Sequence, residues 1–182
     1  MRYLFKLILI LILTMTFTRA HAQSQEKRFD IGVEPVAYLM DGASLHAGYH
    51  LGSWRISAEW FQLQPPESIH GNTGFTASQN AVELKVNRYF RPDAAGFFVS
   101  AETGLNRQQV THRATGESRD RLLYVAGART GYRWNTGLGN LYVTPLAGLV
   151  FKPAADDIEL AGETFESKSL QPYGTVNFGW TF

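Results

Sequence analysis

Apolar and polar residues alternate at every second position through much of this 182-residue chain, and this pattern limits the possible folds more than any other feature. It is clearest near the end of the sequence, where one apolar face is formed by Val176, Phe178, Trp180 and Phe182. The residues between them are small or polar. Because successive side chains of a β-strand point to opposite faces, this period predicts a strand with one apolar side and one polar side.

The same alternation predicts eight strands. They cover residues 29–39, 44–51, 53–63, 80–90, 96–106, 122–134, 141–151 and 172–182. Lengths near ten residues suit tilted strands that cross a bilayer. Three prolines fall inside these segments, and each removes one donor from a strand ladder: Pro35, Pro145 and Pro172. We expect a bulge or an irregular ladder at Pro145, which is central in its segment.

The connections predict how the strands are joined. Those after the second, fourth and sixth segments are short and cover residue 52 and residues 91–95 and 135–140. Those after the third, fifth and seventh are long and polar and cover residues 64–79, 107–121 and 152–169. Short turns that alternate with long loops are typical of an up-and-down barrel whose short turns face the periplasm. The sequence therefore predicts an all-β, eight-stranded antiparallel transmembrane β-barrel.

The first 22 residues have the features of a secretory signal peptide. Arg2 and Lys6 precede an aliphatic run at residues 7–13, and Ala20 and Ala22 provide a small-x-small cleavage site. A transmembrane anchor is the alternative, but the aliphatic run is too short to cross a bilayer as a helix. We expect a signal peptide at 1–22 and one barrel domain at 23–182. With no cysteine in the chain, disulfides and lipid attachment through a cysteine are excluded.

Charge and hydropathy narrow the classes of function. The chain has 17 basic and 16 acidic residues, so its net charge gives no reason to expect nucleic acid as a partner. No stretch after residue 22 is long and apolar enough for a membrane helix. An exported chain that enters a membrane without helices can do so only as a closed barrel. A soluble, lipocalin-like barrel is the alternative fold, and it would turn the apolar face inward.

The polar face carries charged residues that lipid would disfavour, so we expect it to line the lumen. The predicted polar network consists of Glu34, His46, Glu59, Glu83, Lys85, Glu102, Arg129, Arg133 and Asn177. Buried charges need partners, and an eight-stranded barrel has little room beyond its own side chains. The prediction is a structural plug of ion pairs and hydrogen bonds. A polar conduit and a carboxylate catalytic site are the alternatives.

The pattern of the chain resembles that of small eight-stranded outer-membrane β-barrel proteins with the OmpA-type and OmpX-like architecture. The closing strand resembles the C-terminal strand of such barrels, which typically ends in Phe. The resemblance implies export to the outer membrane of a Gram-negative bacterium, with outer-membrane lipid and lipopolysaccharide as neighbours. It also implies insertion by the barrel-assembly machinery, which reads the closing strand. The candidate insertion signal is Phe178, Trp180 and Phe182.

Some eight-stranded outer-membrane barrels are lipid A enzymes, and this chain lacks the features of two such families. The lipid A deacylase family uses a His-x-Ser pair, and none of the histidines after residue 22 has serine two positions later. The lipid A palmitoyltransferase family has an amphipathic helix before its first strand, and residues 23–28 are too few for one. His46 and His50 are about 13 Å apart along a strand, too far for a shared metal. We predict no catalytic residue, metal or cofactor.

The long loops are the remaining candidates for function. One carries four arginines whose guanidinium groups suit lipopolysaccharide phosphates, Arg107, Arg113, Arg119 and Arg121. Another has five acidic residues that could hold a divalent ion, although it lacks a calcium-binding motif. We expect a non-enzymatic barrel with a structural or adhesive role through its outer loops. The alternatives are a narrow channel or lateral conduit for small hydrophobic molecules, and a lipid A-modifying enzyme.

Overall fold

The computed structural model describes residues 28–182, in which eight strands close into one antiparallel barrel. The barrel strands are β1 Arg28–Val33, β2 Ala43–Leu51, β3 Trp54–Leu63, β4 Phe75–Tyr89, β5 Gly96–His112, β6 Ser118–Asn135, β7 Leu141–Phe151 and β10 Leu170–Thr181. Each strand pairs with its neighbours in sequence, and β1 closes the barrel against β10. The predicted eight-stranded up-and-down barrel is confirmed. The predicted signal peptide lies outside the described residues.

The outside of the barrel is apolar and its inside is charged. Val82 and Leu84 on β4 are 56% and 58% exposed, whereas Glu102 and Arg129 are only 5% and 6% exposed. The same alternation is seen along β2, β3 and β5, where buried and exposed residues follow one another. A soluble barrel would have the opposite arrangement, because its apolar residues would have to fill the interior. The outward belt of aliphatic side chains instead suits the hydrocarbon of a bilayer.

Large aromatic side chains surround the end of the barrel that carries the short turns, which we call the turn end. Exposed rings there include Phe29, Phe90, Phe97, Trp134 and Phe182. Two pairs pack on the outer surface, with ring centroids 4.7 Å apart for Phe29 and Tyr49 and 4.9 Å apart for Phe97 and Tyr132. Aromatic rings favour the boundary between hydrocarbon and headgroups, so this girdle marks one edge of the apolar belt.

The predicted first strand, 29–39, is wrong in its second half. β1 ends at Val33, and a short helix, α1, covers Pro35–Leu39. Proline has no N–H to contribute to a ladder but fits the first position of a helix, so Pro35 ends the strand and begins the helix. Ala37 of α1 is completely buried. The strand prediction failed at residues 35–39 because a helix of about one turn contains too few residues to show the helical period in the sequence.

The early end of β1 leaves a side seam in the barrel wall. β10 pairs with β1 only between Phe178 and Thr181, and over residues 170–177 it pairs with β7 alone. α1 is fastened to β2 instead, because the Glu34 N–H donates to Ser44 Oγ at 2.6 Å. No backbone hydrogen bond between described residues joins residues 34–42 to β10. The side seam is therefore about 25 Å of the β10 edge that lies beside α1 without backbone pairing.

The other two prolines also lie where a ladder is incomplete. Pro172 is in the part of β10 that borders the side seam, so its missing N–H costs little. At Pro145 the β6–β7 ladder has no pairs between Gly131↔Leu146 and Trp134↔Val143. The register is the same on both sides of this interruption, so the irregular ladder is confirmed but no bulge is present. The other edge of Pro145 is paired with Val176.

The opposite end of the barrel, the loop end, contains more regular structure than predicted. The predicted loops 64–79 and 107–121 are too long, because β4 begins at Phe75, β5 continues to His112 and β6 begins at Ser118. A helical turn, α2, covers Glu67–His70. The predicted loop 152–169 contains a hairpin of β8, Ile158–Leu160, and β9, Glu163–Phe165. These strand segments were predicted as loops because they lie outside the apolar belt and carry many polar side chains.

This hairpin folds over the loop end and is held there by a small apolar cluster, which we call the hairpin cap. Its buried members are Phe75, Ala77, Val110, Ile158, Leu160 and Phe165. The Phe75 and Phe165 rings pack edge to face with centroids 5.7 Å apart. Asn72 ties the cap to the neighbouring loop, because its Oδ1 accepts from the Glu166 N–H at 2.7 Å. The loop end is therefore covered rather than open.

The outward belt predicts how a charge is tolerated at different depths. Leu84→Arg places a cation in the middle of the belt, and we expect it to lower the free energy of unfolding in lipid vesicles by about 2–4 kcal/mol. Gln109→Arg, an exposed position on the extension of β5, should cost less than about 1 kcal/mol. Urea titration of the barrel in vesicles measures both. Equal costs at the two positions would contradict the placement of the apolar belt.

Candidate functional site

The polar side chains of the lumen form two groups. The inner group lies toward the turn end and is centred on Asp30. The outer group lies toward the loop end and is centred on Lys85. Both groups are built from positions that alternate with the outward apolar belt, which is why strand pairing brings them together across the interior.

The Asp30 carboxylate is completely buried and holds two arginines and a histidine. Arg55 donates to both of its oxygens, from Nε to Oδ2 at 2.8 Å and from Nη2 to Oδ1 at 2.6 Å. His50 Nε2 lies 2.5 Å from Oδ2, and Arg133 Nη1 lies 3.3 Å from the same oxygen. The Tyr142 hydroxyl donates to Oδ1 at 3.1 Å. This geometry satisfies a charge that would otherwise be costly to bury.

Tyr142 and Arg133 close the remaining space beside this carboxylate. The Arg133 guanidinium stacks on the Tyr142 ring with its carbon 3.6 Å from the ring centroid, which is a close cation–π contact. Arg133 Nη2 also donates to Thr181 Oγ1 at 2.7 Å, on the last strand. His46 Nε2 lies 3.0 Å from the Tyr142 hydroxyl. The two histidines thus serve one hydrogen-bonded network that joins β1, β2, β3, β6, β7 and β10.

Two glycines make room for the large side chains of the inner group. A Cβ at Gly179 would lie 2.2 Å from the Tyr142 hydroxyl, and a Cβ at Gly48 would lie 2.4 Å from Arg55 Nε. Both glycines occupy lumen-facing positions on strands next to those large side chains. The inner layer is filled because small and large residues alternate around the barrel, as close packing of a narrow interior requires.

An apolar cluster lies beside the inner group and extends from the turn end into the lumen. Its buried members are Tyr89, Ala94, Phe98 and Leu146, and Tyr173 packs against them. The Tyr89 and Phe98 rings have centroids 5.2 Å apart, and Tyr89 lies 6.2 Å from the His50 ring. Ala94 belongs to the short turn between β4 and β5, so the turn itself folds under the barrel. We call this cluster the aromatic floor.

The outer group joins three carboxylates through one lysine. Lys85 Nζ lies 2.5 Å from Glu59, 3.0 Å from Glu83 and 3.8 Å from Glu102. Glu59 and Glu83 are directly opposite each other on β3 and β4, an arrangement that would be repulsive without the lysine between them. Arg129 Nε lies 3.7 Å from Glu102. All five side chains are buried.

The remaining predicted network residues are less engaged. Glu34 precedes α1, and no ion pair formed among the described side chains includes it. Asn177 is buried on β10, and its Oδ1 has no hydrogen-bond partner in the described part of the chain. Tyr173, which the sequence did not single out, donates from its hydroxyl to Glu102 Oε1 at 2.8 Å.

A cavity of about 170 Å³ lies above the outer group and reaches the side seam. The side of the cavity next to the outer group carries Glu34, Glu59, Glu83, Lys85 and Glu102. Apolar walls are provided by Val36, Ala37, Met40, Phe61, Leu63, Ile69, Val125 and Val150. Asn106 also lines the cavity, and Lys152 lies toward its loop end, where its Nζ donates to Gln171 Oε1 at 3.0 Å.

The four arginines predicted to meet lipopolysaccharide do not form one patch. Arg107 pairs with Asp120 at 3.3 Å on the outside, and exposed Arg113 pairs with Glu67 at 3.3 Å. Arg119 is exposed and lies opposite the inward-facing Val110. Arg121 turns into the mouth of the barrel, where it donates to Gln108 and to Ser167 Oγ at 2.8 Å. Contact with lipopolysaccharide stays a prediction for all four.

The predicted insertion signal lies on the outside of the closing strand. Phe178, Trp180 and Phe182 are all exposed. β10 is paired on both sides in this stretch, with β1 and with β7, so the three rings form part of the outer surface at the turn end. Their role in insertion stays a prediction.

Sequence reasoning missed three residues that organise the lumen. Asp30 stands between Phe29 and Ile31, so the alternation of the first strand already placed it on the polar face. Tyr142 and Tyr173 also occupy inward positions of their strands. An inward tyrosine on a charged face is the signal that could have identified both, because its hydroxyl needs a partner when buried.

The same part of the chain bears on metal sites, membrane helices and a titrating histidine at the mouth. Within residues 28–182, no group of three or more His, Cys, Asp or Glu side chains has the spacing to hold a metal ion. Among the helices that the structure describes, none is both long enough and apolar enough to span a membrane. At the mouth, the Asn72 N–H donates to His70 Nδ1 at 3.1 Å, and burial lowers the pKa of His70.

Comparisons with known proteins find similar architectures. No family model matches the chain. No characterised protein matches it significantly by sequence. Among solved structures it is similar to Neisserial surface protein A, with 10% identity and a TM-score of 0.48, over 85% of this chain and 94% of that one. It is also similar to the N-terminal β-barrel domain of Pseudomonas aeruginosa OprF, with 12% identity and a TM-score of 0.48, over 88% and 100%.

The strand ladders themselves establish the architecture. The eight strands, their antiparallel order and the closing β1–β10 pairing give this chain the architecture of the small eight-stranded outer-membrane β-barrels. The resemblance noted from the sequence is therefore confirmed at the level of fold.

The Asp30 cluster predicts a large effect of a single substitution. Asp30→Asn leaves Arg55 and Arg133 buried without their carboxylate, and we expect a loss of about 3–5 kcal/mol in the free energy of unfolding. The matched control, Asp93→Asn, removes an exposed carboxylate that pairs with Arg91 at 2.8 Å and should cost at most about 1 kcal/mol. Denaturant titration of both variants in vesicles tests this. A loss below about 1 kcal/mol for Asp30→Asn would contradict a central role for this carboxylate.

Proposed function

We propose that this protein is a non-enzymatic outer-membrane barrel whose filled lumen makes it a rigid support for the surface at its loop end. Its apolar outer belt and aromatic girdle support insertion in a bilayer. In this proposal the turn end faces the periplasm and the loop end faces the outside, in line with the alternation of short turns and long loops. The environment would be the outer membrane of a Gram-negative bacterium.

The observation that carries this proposal is the closure of the lumen at the turn end. The aromatic floor and the Asp30 cluster lie side by side toward the turn end, where the Tyr89 and His50 ring centroids are 6.2 Å apart, and their side chains are held by packing and by hydrogen bonds. Arg55, Tyr142 and Arg133 in one cluster and Tyr89 and Phe98 in the other are all buried in the lumen. A lumen closed in this way supports a structural role rather than passage of solutes along the barrel axis.

The lumen chemistry also supports a non-enzymatic role. The carboxylates of the outer group are engaged by Lys85 and Arg129, and the histidines of the inner group are engaged by Asp30 and Tyr142. A nucleophile needs a base within hydrogen-bond reach and an open position for its substrate. In the described residues His50 instead contacts Asp30, and His46 contacts Tyr142, across the barrel.

The loop end provides the surface through which such a protein would act. The extended strands β4, β5 and β6 and the hairpin cap form a rigid projection with exposed Arg107, Arg113 and Arg119. Guanidinium groups at this level could bind phosphates of neighbouring lipopolysaccharide. Phe178, Trp180 and Phe182 would be the part of β10 read by the barrel-assembly machinery during insertion.

One observation favours a second candidate, a lateral conduit for small hydrophobic molecules. The side seam lacks a ladder between α1 and β10, and the 170 Å³ cavity reaches it. A molecule that enters from the loop end could leave through the side of the barrel into the membrane without crossing the closed inner layer. This candidate requires the hairpin cap to move, because the cap covers the mouth.

Conductance across a planar bilayer tests the closed lumen. We expect the native protein to give no steady, discrete openings, because the aromatic floor and the Asp30 cluster together fill the lumen toward the turn end. A double variant, Tyr89→Ala with Tyr142→Ala, removes a large ring from each cluster and should give brief openings. Tyr124→Ala removes an outward-facing ring and is the matched control, which should stay closed. Steady openings of the native protein would overturn the structural proposal.

Uptake of a hydrophobic dye into the outer membrane tests the lateral conduit. Cells with the native barrel should take up N-phenyl-1-naphthylamine faster than cells without it if the side seam conducts. Ala37→Trp places a large ring in the cavity and should remove the difference, because Ala37 is completely buried on α1. Equal rates in all three strains would eliminate this candidate and leave the structural role.

A further inference from the structure

A smaller cavity lies at the mouth of the barrel, beside the hairpin cap, and we call it the mouth cavity. We propose that it binds a phosphate group, either free or part of a larger molecule, through Arg121, Lys152 and Lys168. All three cationic side chains line this cavity. Binding here requires neither a closed barrel axis nor an open side seam, so it is independent of the structural and conduit roles considered above.

The positive charge around the mouth cavity is the first argument. None of the ion pairs formed between side chains of residues 28–182 includes Arg121, Lys152 or Lys168. Glu166 is the one acidic residue in the described lining of the cavity, and it is exposed. Its backbone N–H and carbonyl are both held by the Asn72 side chain. The mouth cavity therefore has an excess of positive charge that an anion would offset.

The burial of Lys152 is the second argument. This residue is only 8% exposed, and its Nζ donates at 3.0 Å to Gln171 Oε1, a neutral acceptor. Lysine is almost never buried without a partner of opposite charge, because the loss of hydration is costly. An ammonium group has three donors, and the amide oxygen accepts from one of them. A bound oxyanion would supply both the missing charge and further acceptors.

The acidic outer group does not take the place of this anion. Lys152 also lines the 170 Å³ cavity, together with Glu83. Glu83 is already 3.0 Å from Lys85, and no ion pair among the described side chains joins it to Lys152. On its other side Lys152 shares the mouth cavity with a second cation, Arg121. Lys152 therefore stands between an acidic group that has its own lysine and an arginine that repels it.

Neutral groups hold Arg121 in place without cancelling its charge. Its Nε and Nη2 donate to Gln108 Oε1 at 2.9 and 2.6 Å, and Nη2 also donates to Ser167 Oγ at 2.8 Å. Asp156 accepts from Nη1 through its backbone carbonyl, and the Asp157 carboxylate accepts from the Ser167 N–H at 2.7 Å. A cation that is fixed before binding loses little side-chain freedom when the ligand arrives.

The size of the mouth cavity restricts the group that it can hold. Its volume is about 40 Å³, whereas one water molecule needs about 10–15 Å³ of such space. The space suits about three waters or one compact oxyanion. A phosphomonoester carries a charge of about −1.5 to −2 at pH 7, which matches three cations better than a single carboxylate does. Guanidinium and ammonium groups both suit phosphate oxygens.

Lys168 marks the entrance of the mouth cavity. It is exposed, and its Nζ lies 3.8 Å from the position that a Cβ at Gly71 would take. The side chain therefore reaches from the connection between β9 and β10 toward the residue that follows α2. A phosphate that belongs to a larger molecule would enter here and leave the rest of that molecule outside.

Calorimetric titration of the full barrel in non-ionic detergent at pH 7.5 tests the site. The probe is inorganic phosphate, and sodium chloride keeps the ionic strength constant because salt screens weak surface attraction. We expect saturable one-to-one binding of phosphate and at least about tenfold weaker binding of acetate. Lipid A in mixed micelles of the same detergent is the second probe. Its binding would identify a lipid-linked phosphate as the ligand, and phosphate binding without it would identify a free phosphate.

A variant of the buried lysine locates the site and separates the proposal from a structural role. Lys152→Met keeps the length of the side chain and removes its charge, so phosphate binding should weaken at least about tenfold. In phosphate-free buffer this variant should unfold at a higher temperature than the native barrel, because it lacks an unpaired buried cation. Arg91→Gln removes an exposed cation of the turn end and should change neither measurement.

Three outcomes would overturn the proposal. They are the absence of saturable phosphate binding, binding of acetate as tight as that of phosphate, and native-like phosphate binding by folded Lys152→Met. A lower unfolding temperature of Lys152→Met in phosphate-free buffer would also contradict it, because Lys152 would then serve the acidic outer group. Heat-modifiable gel mobility checks that each variant is folded. If Lys152→Met does not fold, exposed Lys168→Gln provides the same test and should weaken phosphate binding several-fold.

Discussion

The Asp30 carboxylate determines how the inner half of the lumen can be packed. It is the acceptor for both Arg55 and Arg133 and for the Tyr142 hydroxyl, and these side chains come from three different strands. Around it, glycines such as Gly48 and Gly179 leave space for the large side chains that converge on it. Since each member depends on the carboxylate for its pairing, one acid on the shortest barrel strand organises most of the inner wall.

The outer half of the barrel is arranged differently, because its charges do not balance in the same way. Lys85 serves three carboxylates, and Glu34 stands outside the ion pairs of the described side chains. The wall here is also incomplete, since β1 gives way to α1 while β4, β5 and β6 continue far beyond the apolar belt. A tightly packed inner half and a roomier outer half explain why the cavity lies where it does.

Much of this arrangement could be predicted from the sequence, since alternation at every second position identified the strands, their number and the face of each charged residue. Glu59, Lys85 and Glu102 were placed in the lumen from this alternation together with the cost of exposing charges to lipid. The end of β1 could not be predicted, because Pro35–Leu39 continues the apolar alternation by chance while folding as a turn of helix. The long extensions were missed because residues such as Arg107 and Arg121 lie on strands beyond lipid, where outward polar side chains no longer indicate a loop.

The partners of each charge were also beyond reach of the sequence, because they depend on barrel stagger. Shear decides that Glu59 is opposite Glu83 and that Lys85 is opposite Glu102, and no spacing along the chain encodes it. The short β1–β10 ladder has a mechanical consequence. The wall of a closed barrel carries lateral tension around its whole circumference. Four residue pairs join β1 to β10 in this wall, whereas sixteen residue pairs join β5 to β6. The side seam thus borders the strand pair with the fewest ladder pairs among the described barrel strands, so the wall is held least firmly where β1 gives way to α1.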